Sequence, residues 1–481
     1  MMLNCRAKLT ITAIPNPTMN RAYKVLPWLI FAFAAIKILA TVQTRPLIAY
    51  ANNWDFARES ACYGIWEHYP SGKDKTSANF EGPVNPLVYD GDRHPEWCLH
   101  VIDNAFIRLI LAFHNLGDEI DLQTVGTLKA SFLLGMMGWL MVLLRKKSHQ
   151  LVAALTFLLA FGDIAYLSFF NTLYAEFSML AGAFLSLFGL LMLAYDARQR
   201  RSSIAFCIAS LLFFGLAKGQ YMPLAVVAGM VMGAIILARH KAVTSAVVLI
   251  TATVAMPIGF NMANRTSGLM RTIAVVNIMD TVMVAVLPNT RDPLASMRKL
   301  GLPEHCSKAL GVSWYDIGPS HNLPCPELAN LSRTKLIGLF LWDPTSFFRP
   351  MSLAISKIRP LQLTYLSNTE NALARNSKRY RLLKLTSLST ALDRLPPSAF
   401  FVLIVAALVM SVASLLAIRR SSPAFLCSAG GALIFYALFS SVFGDGFFEI
   451  SKHGTAILLG ICVQAAASLF YLATKFQTHA P

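Results

Sequence analysis

The chain has 481 residues, 55% of them hydrophobic and 14% charged, with a formal net charge of +17. A mean hydropathy of +0.53 excludes a soluble globular domain and points to an all-α polytopic membrane protein. The basic excess does not signal nucleic acid: the sequence carries no basic stripe with interleaved aromatics and no DNA- or RNA-binding motif.

The first 26 residues contain Arg6, Lys8, Arg21 and Lys24 and no long apolar run. They read as a cytoplasmic segment ahead of an uncleaved signal-anchor. Apolar runs of membrane-crossing length, about twenty residues, fall near 27–47, 125–144, 150–170, 174–194, 203–218, 220–238, 243–262, 400–417, 423–442 and 454–473. Lys37 interrupts the first. The basic clusters Arg145-Lys146-Lys147, Arg198 with Arg200-Arg201, Arg239-His240-Lys241 and Arg419-Arg420 fall on alternate loops. The positive-inside rule makes those loops cytoplasmic, with both termini. The loops 48–124, 171–173, 219, 263–399 and 443–453 then share the outer face. The predicted organisation is a segment 1–26, a membrane core 27–262 with the long outer loop 48–124, an outer loop domain 263–399, and a three-helix membrane segment 400–481.

Within loop 48–124, the stretch Val101–Leu116 places Phe106, Leu109, Ile110 and Phe113 at helical spacing, while Asp103 and Arg108 prevent it from spanning. A helix lying in the interface is expected. Loop 263–399 is basic, which suits anionic headgroups, an anionic glycan or a solvated surface equally. Cys62 and Cys98 share the first outer loop and Cys306 and Cys325 the second, so two disulfides are expected on the oxidising side. Zinc is the rival at Cys306 and His305, but no second Cys-x-x-Cys supports it. No cofactor or metal is assigned, although paired acids tolerate a divalent ion.

The candidate chemistry lies at the outer ends of the spans. Asp55 follows the first span in Asn52-Asn53-Trp54-Asp55-Phe56-Ala57-Arg58. Asn53 can hold its rotamer, and Arg58 can pair with it if the segment is helical; an N-cap or surface ion pair is the competing reading. Asp163 is expected roughly 12 Å below Asn171 on a continuous third helix, a depth at which an acid is a functional candidate. A structural hydrogen bond to Tyr166 is the alternative. Glu176 follows Asn171 and Tyr174 and opens the fourth span, where the helix dipole favours an anion. Lys218, followed by Gln220, ends the fifth span facing outward; it can snorkel or hold a phosphate. The last outer loop, Gly444-Asp445-Gly446-Phe447-Phe448-Glu449-Ile450-Ser451-Lys452-His453, offers Asp445, Lys452 and His453, with a solvated hairpin as the plain reading.

These segments together resemble the GT-C superfamily of membrane glycosyltransferases, and within it the WsfD-like bacterial cell-surface glycan hexosyltransferases. The resemblance rests on Asn52–Phe56, Asp163–Tyr166, Asn171–Glu176, Ala217–Gln220 and Gly444–His453, with Leu300–Pro303 and Tyr365–Asn368 in the large loop. It runs over most of the chain, through the order and membrane side of its motifs. Trp54 stands where a small residue is expected, and Lys452 where arginine is common. The resemblance implies about ten transmembrane helices, a polyprenyl-phosphate-sugar donor, a glycan, lipid or protein acceptor, and an inverting transfer on the periplasmic side of a bacterial inner membrane. Asp55 would then be the general base, Glu176 and Asp163 supporting acids, and Lys218, Lys452 and His453 phosphate ligands. A flippase of lipid-linked sugars or a polysaccharide polymerase is the alternative.

Overall fold

The computed structural model describes residues 17–67, 75, 78–196, 201–265, 268–317, 324–369, 375–419 and 421–479. Arg6, Lys8, Arg198, Arg200 and Arg420 lie outside them. Among the described residues, seven helices are long and apolar enough to cross a membrane: Lys24–Val42, Leu122–Leu143, Glu176–Tyr195, Val243–Asn264, Gly268–Asn289, Pro397–Leu415 and Ser422–Asp445. Four shorter apolar helices join them: Lys147–Phe161, Arg201–Gly215, Met222–Ala238 and Ala456–Leu472.

Glu176–Tyr195 is the axis of the bundle. It is apolar on every side, and 94% of its central stretch is buried, as expected of a helix surrounded by others. Its two ends define the two faces of the molecule. At Tyr195 the chain turns into Asp196, whose carboxylate accepts the backbone N–H groups of Arg145 (2.7 Å) and Lys146 (3.2 Å). His149 beside them bonds Ser422 Oγ (3.0 Å). This is the basic end. Glu176 marks the other. Away from both ends, polar side chains tie helices together where lipid offers no partner. Gln464 donates to the carbonyls of Ala407 (3.0 Å) and Cys427 (2.9 Å), and Ser411 and Ser428 exchange hydroxyl–carbonyl bonds.

Ten of the eleven apolar helices fall on the expected spans, with two informative departures. The expected span 150–170 stops at Phe161, because Asp163 caps a new short helix, Ile164–Leu167, accepting Ala165 N–H at 2.9 Å. Its carboxylate thus belongs to a break in the backbone, not to a helix midpoint. The second departure is Gly268–Asn289, which opens the segment expected as an outer loop domain without a span. Asn264, just before it, bonds His100 of the first long loop, and Asp280 within it accepts Trp314 N–H (2.8 Å) and packs against Gly446. Both tie points lie at the Glu176 end. The stretch between Asn264 and Asp280 is thus tied at both ends to segments of that end.

The loop 48–124 carries structure that periodicity did not reveal, a three-stranded antiparallel sheet of Ile65–Glu67, Leu87–Tyr89 and Glu119–Ile120. The interfacial helix is shorter than expected, Asn104–Leu111. Phe106 and Ile110 pack inward, with Phe106 against Phe132, Phe177 and Phe213, while Leu109 and Phe113 face out. Both disulfides are formed, Cys62–Cys98 and Cys306–Cys325, so neither sulfur pair is free for a metal.

Candidate active site

The first membrane helix ends at Val42, and the chain then runs extended to Asn53. Asn171 locks this exit, donating to the carbonyls of Val42 (3.1 Å) and Ile48 (3.2 Å). Asn53 caps the helix Trp54–Ser60: its side-chain oxygen accepts Asp55 N–H at 3.0 Å. Its own N–H donates to the Tyr174 hydroxyl (2.8 Å), which in turn donates to the Ala51 carbonyl. The two segments holding the candidate acids, 52–58 and 171–176, are therefore stitched together by backbone and amide bonds.

Onto this frame the last loop delivers a cation. Lys452 lies on the short helix Ile450–His453, and its side chain is fully buried. Its ammonium bonds Asp55 Oδ2, lies 3.3 Å from Glu449 Oε2 and sits 5.1 Å above the Tyr174 ring. Arg58 donates to the other Asp55 oxygen at 2.7 Å. Burial alone would raise the Asp55 pKa. The charges of Lys452, Arg58 and Lys218 outweigh it and hold the carboxyl well below the usual range. Lys452 shows the reverse: burial favours its neutral form, but Asp55, Glu449 and Glu176 hold its ammonium pKa well above the ordinary lysine value.

A second pair sits beside the first. Lys218 donates to Glu176 Oε1 at 2.7 Å and approaches His453 Nδ1 at 3.4 Å. His453 spans the space between two partners, Gln220 Oε1 (3.0 Å) at Nδ1 and Asp445 Oδ2 (3.0 Å) at Nε2. A neutral ring donating to Asp445 leaves Nδ1 to accept from Lys218; a protonated ring donates to both Gln220 and Asp445. The turn behind Asp445 requires glycine: Gly446 has φ +65°, and a Cβ there would sit 2.6 Å from the Asp280 carbonyl oxygen.

The structure thus brings Asn53, Asp55, Arg58, Tyr174, Glu176, Lys218, Gln220, Asp445, Lys452 and His453 into one cluster at one end of the bundle. Asp163 is elsewhere. Its carboxylate is taken up by Ala165 N–H, Ser389 N–H (2.8 Å) and the Ser389 hydroxyl. Two members escaped the sequence reading. Glu449 accepts from Asn53 Nδ2 (3.1 Å) and from the Tyr365 hydroxyl (2.7 Å), which closes the cluster from the large loop. Its backbone is left-handed, φ 43°, a conformation costly without glycine and concentrated at functional sites. The i,i+3 spacing of Glu449 and Lys452 was the available signal. Tyr365 stood in the resemblance segment Tyr365–Asn368, but nothing local gave it a place in the site, since its partner lies 84 residues away.

Below the cluster lies a sealed ionic layer. Lys129 Nζ is 2.8 Å from Asp103 Oδ1, with both side chains 1% exposed, and donates to the Thr172 carbonyl (2.9 Å). Glu59, one turn beyond Asp55, is buried beside it; burial, with repulsion from Asp103, pushes its pKa well up. Lys129 therefore supports the 171–176 turn from beneath.

Residues 18–464 match the family model described as the YfdI N-terminal transmembrane domain. No curated protein matches the sequence. Among solved structures, the chain is similar to the archaeal oligosaccharyltransferase AglB from Archaeoglobus fulgidus in complex with an inhibitory peptide and a dolichol-phosphate, at 12% identity and a TM-score of 0.37. A second structure, the Archaeoglobus fulgidus oligosaccharyltransferase tethered to an acceptor peptide, gives the same identity and TM-score. The matches cover 96% and 95% of this chain but 53% and 51% of those chains, so this chain spans about half their length.

Proposed function

The chain belongs to the YfdI N-terminal transmembrane domain family, and from that premise we propose that its acid–cation cluster transfers a sugar from a polyprenyl-phosphate carrier. The acceptor is a cell-envelope glycan, lipid or protein, and the reaction runs on the periplasmic side of a bacterial inner membrane. The chemistry is that of an inverting GT-C-type glycosyltransferase of the WsfD-like kind. The observation that carries this reading is the pairing pattern. Two carboxylates, Asp55 and Glu176, each hold a lysine drawn from a distant segment, and Asp55, Arg58, Lys218 and Glu449 keep some exposure. Ionisable groups concentrated at one end of a membrane bundle mark a task.

Each residue then has a role. Asp55 accepts the proton of the acceptor hydroxyl as its oxygen attacks the anomeric carbon. The carrier phosphate leaves from the opposite face, its growing charge met by Lys452, Lys218 and His453. Asn53 and Tyr174 fix the Asp55 helix, and Glu176 aims Lys218. Resting Asp55 is a weak base because Lys452 and Arg58 stabilise its ionised form. A carrier phosphate competes for Lys452, so donor binding raises the basicity of Asp55 before the acceptor reacts. Trp54, stacked on Trp97 with ring centroids 6.5 Å apart, offers an aromatic face beside the base.

The test is turnover of a polyprenyl-phosphate-sugar by the purified protein. Asp55→Asn should lower transfer per folded, inserted molecule by about 10²–10⁴-fold, with a lower unfolding temperature because fully buried Lys452 loses one of its two carboxylates. Full activity in that variant removes Asp55 as the base.

A further inference from the structure

A cavity of about 520 Å³ opens beside the Cys62–Cys98 disulfide, lined by Cys62, Tyr63, Tyr89, Arg93, His100, Arg108, Leu111 and Ala112. Its charge is one-sided. Arg93 has no hydrogen-bond or ion-pair partner among the described residues. Arg108 uses only Nε, donating to the Tyr63 hydroxyl at 3.0 Å, and its two terminal nitrogens stay available. The acids nearby are already engaged: Asp90 and Asp92 bond Lys75, and Glu96 bonds His94 at 3.1 Å. Among the described residues, two guanidiniums and an imidazole thus face one space without a compensating carboxylate in its lining.

The walls are held rigid. The Cys62–Cys98 disulfide closes one side, and the ring of His100 lies 3.6 Å from the Cys98 sulfur. Asn264 clamps the His100 backbone by accepting its N–H (3.3 Å) and donating to its carbonyl (2.8 Å). Gly91, at φ +77°, passes so close to Leu116 that a Cβ there would meet it at 2.6 Å. The floor is apolar. Leu111 and Ala112 end a helix whose outer side, with the residues after it, exposes Leu109, Phe113 (80%) and Leu116 (67%).

We infer that this cavity binds the phosphate headgroup of an anionic phospholipid, with the lipid's acyl chains lying along Leu109, Phe113 and Leu116. The chemistry matches at both ends: paired guanidiniums, with no acid in the lining to meet a choline cation, suit a phosphodiester whose headgroup carries no positive charge, and an apolar strip at the interface of a membrane domain suits an acyl chain. The site is separate from the Lys452 cluster and does not rest on the transferase reading. Its consequence is to pin the loop 48–124, and with it the Asp55 helix, to the bilayer surface.

The full chain, purified and reconstituted with phosphatidylglycerol or with phosphatidylcholine, supplies the test by native mass spectrometry and thermal unfolding. One phosphatidylglycerol should stay bound per chain and raise the unfolding temperature; phosphatidylcholine should do neither. The double variant Arg93→Gln with Arg108→Gln should lose retention about tenfold or more. Should the double variant fail to fold, Arg93→Gln alone, at an exposed side chain, carries the measurement. Retention unchanged by the substitutions overturns the site. Equal stabilisation by inorganic phosphate makes it a soluble-anion site and overturns the lipid assignment. Displacement by polyprenyl phosphate that depends on Arg93 and Arg108 but not on Lys452 makes the cavity a carrier site and overturns it equally.

Discussion

Asp55 and Asp163 are both acids of a membrane domain, and both sit at the start of a short helical segment, Asp55 in the first turn and Asp163 as the cap, yet they are held in opposite ways. Asp163 is sealed, 1% exposed, and its partners are neutral: two backbone N–H groups and a serine hydroxyl. At 1% exposure no substrate group reaches them. The Asp55 side chain is 24% exposed and its partners are two cations from side chains, Lys452 and Arg58. An incoming phosphate can compete for those. The identity of the partner, more than the depth of the acid, separates a structural carboxylate from one available for chemistry.

Removing the cation is the severest way to break that contrast. Lys452→Met leaves Glu449 and one Asp55 oxygen buried without their ammonium, and loss of one member of a buried pair costs about 3–5 kcal/mol. The unfolding temperature should fall sharply and carrier retention should vanish. An unfolding temperature equal to wild type would mean that the ammonium is dispensable to Asp55. Lys218→Ala should be milder. Glu176 loses one partner, and carrier affinity should drop about tenfold, the scale of one charge-assisted contact; a binding isotherm unchanged by the substitution strips Lys218 of its phosphate role.

Asp163→Asn sharpens the comparison from the other side. It should lower stability by about 1–3 kcal/mol, because Ser389 and Ala165 lose a charged acceptor, while turnover per folded molecule stays near wild type. Specific activity falling in step with that of Asp55→Asn would erase the distinction drawn between the two acids. The smallest effect is on pH. The folded pKa of Asp55 is depressed, so its pairing stabilises the fold fully above the unfolded value, about 3.9, and that stability is lost as pH falls through the lower folded value. Lys452 is raised, so its share is complete below about 10.4 and is lost as pH rises through its higher folded value. Unfolding temperature followed against pH should therefore show a plateau from this pair across neutrality, and Lys452→Met should flatten the acid limb.

Much of this was legible from the chain alone. Ten spans follow from apolar runs, and the alternation of Arg145–Lys147 with Glu176 already separated the two ends. The acids and lysines of the cluster stood at span ends, where ionisable groups are conspicuous. What resisted reading was set by contacts between distant segments. The third helix ends early because Asp163 prefers capping Ala165 to sitting inside a helix, a local choice that hydropathy averages away. The apolar run 268–289 was masked by Arg271 and Asp280, and only its ties to His100 and Trp314 show where it lies. The strands of the small sheet are two or three residues long, too short for alternation to register. Glu449 hid because a left-handed glutamate looks like any other glutamate in one dimension.

Asp55 and Lys452 lie 397 positions apart. At about 5–20 residues per second, a ribosome makes the acid roughly 20–80 s before the ammonium that settles it. Through that interval Asp55 has Arg58 and, later, Lys218 as its cations but lacks the ammonium that bonds it directly. A nascent chain released short of residue 452 carries Asp55 and Glu176 but lacks the ammonium that closes in Asp55.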